Sequence, residues 1–330
     1  MALRDKKNRD KLNTPGIFIM IKHLLSRTAQ SLLVLFILSV VMFLIINLLP
    51  DEELERHIQK NPGISEVEIQ KYREKHEIKY FDLMTRFIKG DFGSSRRYQV
   101  KVSELLPARI KTTLKLSVPV FLITLIIAIP LGIFSAVYQY SRFDYGINLL
   151  IFIGISLPTF WIGLMAIYFF SLKLQIFPAS GIQSIGVSSL LDEAKHFVLP
   201  ILVLSSHGIG SWARYMRGSL LEILRLDYIR TARAKGLSED KVVFKHALKN
   251  ALIPLLTLVA LSMPFLVSGA LVTEQVFGIP GMGQLLLMSI KENDKELALA
   301  TFLFLSLLTL LFNFLADLLY GAVDPRIKNS

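Results

Sequence analysis

Six stretches of the chain are apolar for long enough to cross a bilayer, because about 20 largely apolar residues in a helix span roughly 30 Å of hydrocarbon. They are Ser31 to Leu49, Thr113 to Val137, Ile147 to Leu172, His196 to about Trp212, Ala251 to Thr273 and Ala298 to Tyr320. The first run carries no charge and ends at Pro50-Asp51 with no small-residue cleavage site behind it, which predicts an uncleaved anchor rather than a removed signal peptide. The pattern predicts an all-α polytopic membrane protein with six transmembrane helices. The polar loop after the first run has a pattern of its own. Ser65-Glu66-Val67-Glu68 has capping-box spacing, in which the Ser hydroxyl and the Glu carboxylate satisfy each other's backbone amides at a helix start. Tyr80, Phe81, Met84, Phe87 and Ile88 then recur as one face of a short helix stopped by Gly90. This loop is expected to be folded, with that helix on the membrane surface or against a partner.

Composition agrees with an apolar solvent: 52% of the 330 residues are hydrophobic, 19% are charged, and the mean hydropathy is +0.50. The formal charge is +11, and its location decides between nucleic-acid binding and membrane orientation. Residues 1–30 hold seven Lys/Arg and residues 213–250 hold nine, each segment having a net charge of +5, whereas 173–195 and 276–297 hold two Lys/Arg each. Basic short flanks stay in the cytoplasm, so both termini are expected there. Residues 51–112 hold 13 basic and 11 acidic residues, but a loop near 60 residues lies at the limit of that rule. The expected layout is a cytoplasmic segment 1–30, a first crossing 31–49, an extracytoplasmic loop 50–112, a core 113–321 and a cytoplasmic tail 322–330.

Several chemistries are excluded. The chain has no cysteine, which removes disulfides, thiolate metal sites and thiol nucleophiles. No G-x-x-x-x-G-K-[ST] run occurs to cradle nucleotide phosphates. His23, His57, His76, His196, His207 and His246 lack ligand spacing, so no metal site is expected.

The most informative stretch is Leu220 to Pro254. Leu220 to Lys235 predicts one helix, and Gly236 supplies the left-handed position that ends it. Ser238 is placed to cap a second helix, with Glu239 and Asp240 in its first turn. Val242, Val243, His246, Ala247 and Ala251 recur on one face of that helix, and Pro254 marks the entry to the next crossing. A basic helix pair of this kind could rest on anionic headgroups. DNA binding is disfavoured because both ends are tied to membrane spans. A tight glycine turn between short helices favours a rigid knob for a cytosolic partner.

These residues resemble a known family. Asp227-Tyr228-Ile229-Arg230-Thr231-Ala232-Arg233-Ala234-Lys235-Gly236-Leu237, followed by His246 to Asn250 and on to Pro254, resembles the EAA loop of bacterial ABC-importer permeases of the dipeptide/oligopeptide/nickel group. Gly90-Asp91-Phe92-Gly93-Ser94-Ser95 and Glu274-Gln275-Val276-Phe277-Gly278-Ile279-Pro280-Gly281-Met282-Gly283 resemble the same group. So do Ser156 to Trp161, Phe177 to Gly181, and Asp317 to Tyr320 with Asp324-Pro325-Arg326. The resemblance is to the first (B-type) of the two permease subunits and covers nearly the whole chain from Gly90. It departs at the literal Glu-Ala-Ala, where Arg230-Thr231-Ala232 stands. It departs also after the first crossing, where Pro50-Asp51-Glu52-Glu53 replaces Pro-Gly-Asp-Pro and residues 51–88 match poorly.

The resemblance implies the type I ABC importer permease fold and a multi-pass subunit of the bacterial cell membrane that translocates short peptides. Nickel, metallophore or glutathione import is the alternative within the family. It implies as partners a second homologous permease in a heterodimer, two cytosolic ATPase subunits and an extracytoplasmic solute-binding protein. No cofactor belongs to this chain, since ATP and Mg²⁺ bind the ATPases. The elbow implied to dock on an ATPase comprises Asp227, Tyr228, Arg230, Thr231, Ala232, Ala234, Lys235, Gly236, Leu237, His246, Asn250 and Pro254.

Polar groups inside crossings are expensive and commonly face a cavity or a partner. Ser156, Thr159, Ser205, Ser206, His207, Glu274, Asn313 and Asp317 are therefore candidates for the substrate path, the Ser and Thr residues competing with ordinary helix packing. Lys115 and Arg109 are expected to snorkel to the outer headgroups. Phe277 to Met288, containing Pro280, Gly281 and Gly283, is too short and broken to cross, and is expected either to re-enter as a gate or to lie on the surface. A self-sufficient ion-coupled transporter using Glu274 and Asp317 is the competing class, but it would leave the elbow without a purpose. A membrane-embedded enzyme lacks clustered acid, base or metal residues.

Overall fold

The computed structural model describes residues 2–48, 54, 58–61, 63–76 and 79–323, and the side chains of all of these except 2–24, 72–76 and 319–323. Pro50 to Glu53, Asp324 to Arg326 and the basic side chains up to Lys22 lie outside the described residues. The described chain is helical, with one isolated antiparallel bridge, Ser94 to Lys101. It divides into two compact units, Met1–Ala108 with Leu285–Phe314, and Arg109–Gln284 with Leu315–Ser330.

The first unit is built on α1 (Ala2–Leu48), α2 (Glu66–His76) and α3 (Tyr80–Ile88), together with parts of α4 (Val102–Val137), α12 (Met282–Lys291) and α13 (Lys295–Val323). The capping box forms as expected: the Ser65 amide donates to Glu68 (3.1 Å) and the Glu68 amide donates to the Ser65 hydroxyl (3.3 Å). Helix α3 ends at Gly90, where the amides of Gly90 and Asp91 donate back to the carbonyls of Phe87 and Arg86. Its buried face differs from the expected one. Leu83, Met84 and Phe87 pack with Met42 and Ile46 of α1 and Ala298 and Leu299 of α13, while the hydroxyls of Tyr80 and Ser39 share a hydrogen bond (2.7 Å). Phe81 and Ile88 point away and are 80% and 88% exposed. Positions 80, 83, 84 and 87 already make a complete stripe at helical spacing, and Phe81 and Ile88 fall outside it.

The second unit holds α5 (Arg142–Ser156), α6 (Thr159–Ala166) running into a π-helical segment Ile167–Lys173, and α7 (Leu190–Leu224). It continues with α8 (Asp227–Ala234), a π-helical segment Lys241–Ala247 leading into α9 (Leu248–Ser262), then α10 (Phe265–Ser268) and α11 (Leu271–Val276). The expected crossing Ile147 to Leu172 is divided between two helices bent by 100°. Pro158 is the cause: its ring pushes Leu157 into the extended region (ψ 135°), and the helix must restart. Among the described residues, four helices are long and apolar enough to cross a membrane by length and composition, and five if the bent pair counts as one span. The remaining expected run, His196 to Trp212, lies within the 35-residue α7, where two histidines and three serines dilute its apolar character.

Candidate functional site

The elbow between α7 and α9 is formed, with two differences from expectation. The single helix expected over Leu220 to Lys235 breaks after Leu224, because Leu226 takes an extended conformation (ψ 151°) and α8 restarts at Asp227. The break turns Ile229 and Ala232 under the membrane helices, where they pack with Met216 and Leu220 of α7, Ile133 and Ala136 of α4, and Val242, Val243, Ala247, Ala251 and Leu255. Pro254 sits inside α9 rather than at its entry, and the preceding π-helical turns feed directly into that helix. Gly236 adopts the left-handed conformation (φ 78°), with its amide donating to the Arg233 carbonyl (2.9 Å). A Cβ there would meet nothing within 4 Å, so the demand for glycine is a backbone one.

Polar contacts brace the elbow. The Arg233 guanidinium forks onto Glu239 (2.8 and 3.1 Å) across the glycine turn, and the Asn250 amide donates to the Tyr228 hydroxyl (2.8 Å). The Thr231 hydroxyl donates to the Asp227 carbonyl (3.0 Å). Ser238 contributes its carbonyl, which accepts from Val242 (3.0 Å). Asp227, Tyr228, Arg230, Thr231, Ala234, Lys235, Gly236 and Asn250 are exposed, Ala232 is buried, and Leu237, His246 and Pro254 are half-buried. The knob therefore has a buried apolar root and a polar, basic outer surface.

The second cluster surrounds Glu274, which is fully buried. Its carboxylate accepts from the Thr113 hydroxyl (2.9 Å) and from the amides of Gln284 (2.9 Å) and Gly283. Thr113 in turn accepts from the Met282 amide (2.8 Å). Three amides at the start of α12 are thus capped by side chains from α4 and α11, and the positive end of the helix faces a carboxylate. A Cβ on Gly281 would lie 2.3 Å from the Glu274 carboxylate, so only glycine permits the approach. Phe277 and Ile279 are buried with Leu116, Phe197, Leu199 and Val203, and the Gly181 amide donates to the Phe277 carbonyl (2.9 Å). Phe277 to Gly283 is therefore a largely buried hairpin between α11 and α12. Pro280 is half-buried at its tip.

Ser205 is buried, with its hydroxyl 3.5 Å from the Val120 carbonyl, and Ser206 donates to the Val203 carbonyl (2.7 Å). Ser156, His207 and Asn313 are exposed on their helices, and Thr159 and Asp317 are half-buried. Lys115 pairs with Glu193. The Asp192 carboxyl is held below its usual range by the amide and hydroxyl of Ser184.

In the first unit the Gly90–Ser95 motif forms a clasp. Asp91 accepts from the Gly93 amide (3.0 Å) and from Arg86 (3.0 Å), and these contacts hold its carboxyl below the usual range. Arg86 also pairs with Glu296 (3.2 Å). Asp294 accepts from the Ser95 hydroxyl (2.7 Å) and the Arg96 amide (2.9 Å), while its second oxygen caps α13 at Leu297. Phe92 packs at a tilt against Phe87, with ring centroids 5.4 Å apart. Sequence reasoning missed Thr113, Asp294 and Glu296. Asp294 carried a usable signal, an acid just before an apolar run; a lone Thr at the edge of a crossing carried none.

Long apolar helices with a packed elbow between α7 and α9 define a polytopic membrane protein, and comparison with known proteins places it. A family model described as "Binding-protein-dependent transport system inner membrane component" matches residues 128–329, and the chain belongs to that family. It is 36% identical over 317 residues to the oligopeptide transport system permease protein AppB of Bacillus subtilis, covering 94% of this chain and 100% of that one. A putative peptide permease of Brucella suis is 35% identical over 317 residues, covering 94% and 99%. Among solved structures, the inward-facing MetNI methionine ABC transporter matches with a TM-score of 0.53 at 20% identity, over 67% of this chain and 96% of that one. The fold is that of a type I ABC importer permease.

Proposed function

We propose that the chain is the transmembrane subunit of an ATP-driven importer of short peptides. It works beside a second, homologous permease, two cytosolic ATPase subunits that bind ATP and Mg²⁺, and an extracytoplasmic solute-binding protein. Membership of a binding-protein-dependent family supports the architecture, and the peptide-permease names of the relatives support the substrate. The reading puts the chain in a bacterial cell membrane with both termini in the cytoplasm, in keeping with the basic segments 1–30 and 213–250. The observation that carries it is the elbow, whose buried root and exposed polar surface suit an element that takes force from a soluble partner.

In this mechanism an ATPase pushes on Asp227 to Leu237, and α7 and α9 pass the displacement into the membrane. The Phe277–Gly283 hairpin serves as the outer gate, and Ser156, Thr159, Ser205, His207, Asn313 and Asp317 contribute to the path. The decisive variant is Gly236→Val. A side chain in the left-handed conformation costs about 1–2 kcal/mol and re-aims both halves of the elbow. The variant is expected to assemble with its partners while uptake and substrate-stimulated ATP hydrolysis fall together. Normal uptake and normal stimulation by purified Gly236→Val complexes would overturn the coupling role.

A further inference from the structure

Asp144 stands at the start of α5, outside the elbow, the Glu274 cluster and the Gly90–Ser95 clasp, and it is buried. Its carboxylate receives both arms of the Arg217 guanidinium, Nε to Oδ1 at 3.0 Å and an Nη to Oδ2 at 2.9 Å. It also accepts from the Tyr140 amide (3.0 Å), the Asn148 side chain (2.6 Å) and the Ser135 hydroxyl. One carboxylate thus ties together the end of α4, the turn 138–141, the first turn of α5, and α7.

The position of Arg217 gives this hub its meaning. Met216 and Leu220, which flank it on α7, belong to the apolar root of the elbow, as do Ile133 and Ala136, which flank Ser135 on α4. Helices α4 and α7 meet closely beside it, since a Cβ on Gly132 would lie 2.7 Å from the Ala213 carbonyl oxygen. Apolar packing is non-directional and lets helices slide. A bidentate guanidinium–carboxylate fork fixes orientation, and in a buried site the lost partner leaves a charge uncompensated.

We infer that Asp144 and Arg217 are positioning residues that make the elbow and the α4–α5 hairpin move as one body. The inference rests on the importer reading above. Displacement of α8 then carries the α4–α5 hairpin with it instead of being absorbed by sliding at the elbow's root.

The chain has no cysteine, so exposed Tyr145 on α5 and exposed Ser238 on the elbow can be replaced by cysteine and spin-labelled in the complete complex. The distance between the labels is expected to stay constant between the nucleotide-free and ATP-bound states. In Asp144→Asn, which keeps the shape but removes the charge, and in Arg217→Lys, which keeps the charge but removes the fork, the distance is expected to change with ATP. Uptake falls at least tenfold in both while ATP hydrolysis stays within twofold, as a purely structural role would not produce. A distance that changes with ATP in the unsubstituted complex overturns the inference whatever the variants do. Normal coupling in both variants also overturns it and leaves the importer reading standing. A complex with neither ATP hydrolysis nor uptake overturns the importer reading, and the inference with it.

Discussion

A methyl group on Gly281 would sit 2.3 Å from the Glu274 carboxylate, and the carboxylate has nowhere to go because Thr113 and the α12 amides hold it. Gly281→Ala is therefore expected to destabilise the permease by about 1–3 kcal/mol, read as a lower melting midpoint in lipid nanodiscs; an unchanged midpoint would show that the hairpin yields. Asp91 supplies a test of a different kind. Its carboxyl is lowered by the Gly93 amide and Arg86, so its contribution is fully present above its unfolded value of about 3.9 and is lost as pH falls through the lower native one. The gap in melting midpoint between the unsubstituted chain and Asp91→Asn is expected to be constant above about pH 5 and to shrink below about pH 4. A gap independent of pH would contradict this. Neither the Gly281 approach nor the Asp91 clasp follows from periodicity: their motifs were visible, but partners Thr113 and Glu296 stand 161 residues before Glu274 and 210 residues after Arg86 respectively.

At the scale of elements, the elbow separates packing from charge. Arg233 and Glu239 are exposed, and exposed pairs contribute about 0–1 kcal/mol. Ile229 is wholly buried in the elbow's root. Ile229→Ala is expected to cost about 2–5 kcal/mol and to impair coupling, whereas Glu239→Ala changes stability by less than about 1 kcal/mol; melting and uptake of the two variants side by side check the order. The helical segments on either side of Gly236, the turn itself and the apolar face over Val242 to Ala251 were legible because each depends on neighbours in sequence, although the first segment starts only at Asp227 and the second runs on into α9. The break at Leu226 was not, since it answers to Met216, Leu220 and Ile133 rather than to local propensity. The bend at Pro158 had a local signal, but hydropathy alone merged its two helices into one crossing. Asp144 looked like an ordinary first-turn acid, and only its meeting with Arg217 gives it a further part.

Across the whole molecule, hydropathy reported an all-helical membrane protein, and charge placement is the basis of the proposed orientation. Most of the +11 resides in two segments that each carry +5, and in the second the charges coat the elbow proposed to meet the motor. The most direct test is uptake into proteoliposomes that contain this chain, its homologous permease and the ATPase subunits, with the solute-binding protein added outside. Labelled oligopeptide is expected to accumulate only when ATP is enclosed and the binding protein is present, and not when this chain is omitted. Accumulation by this chain alone, driven by an ion gradient without ATPases, would contradict the account.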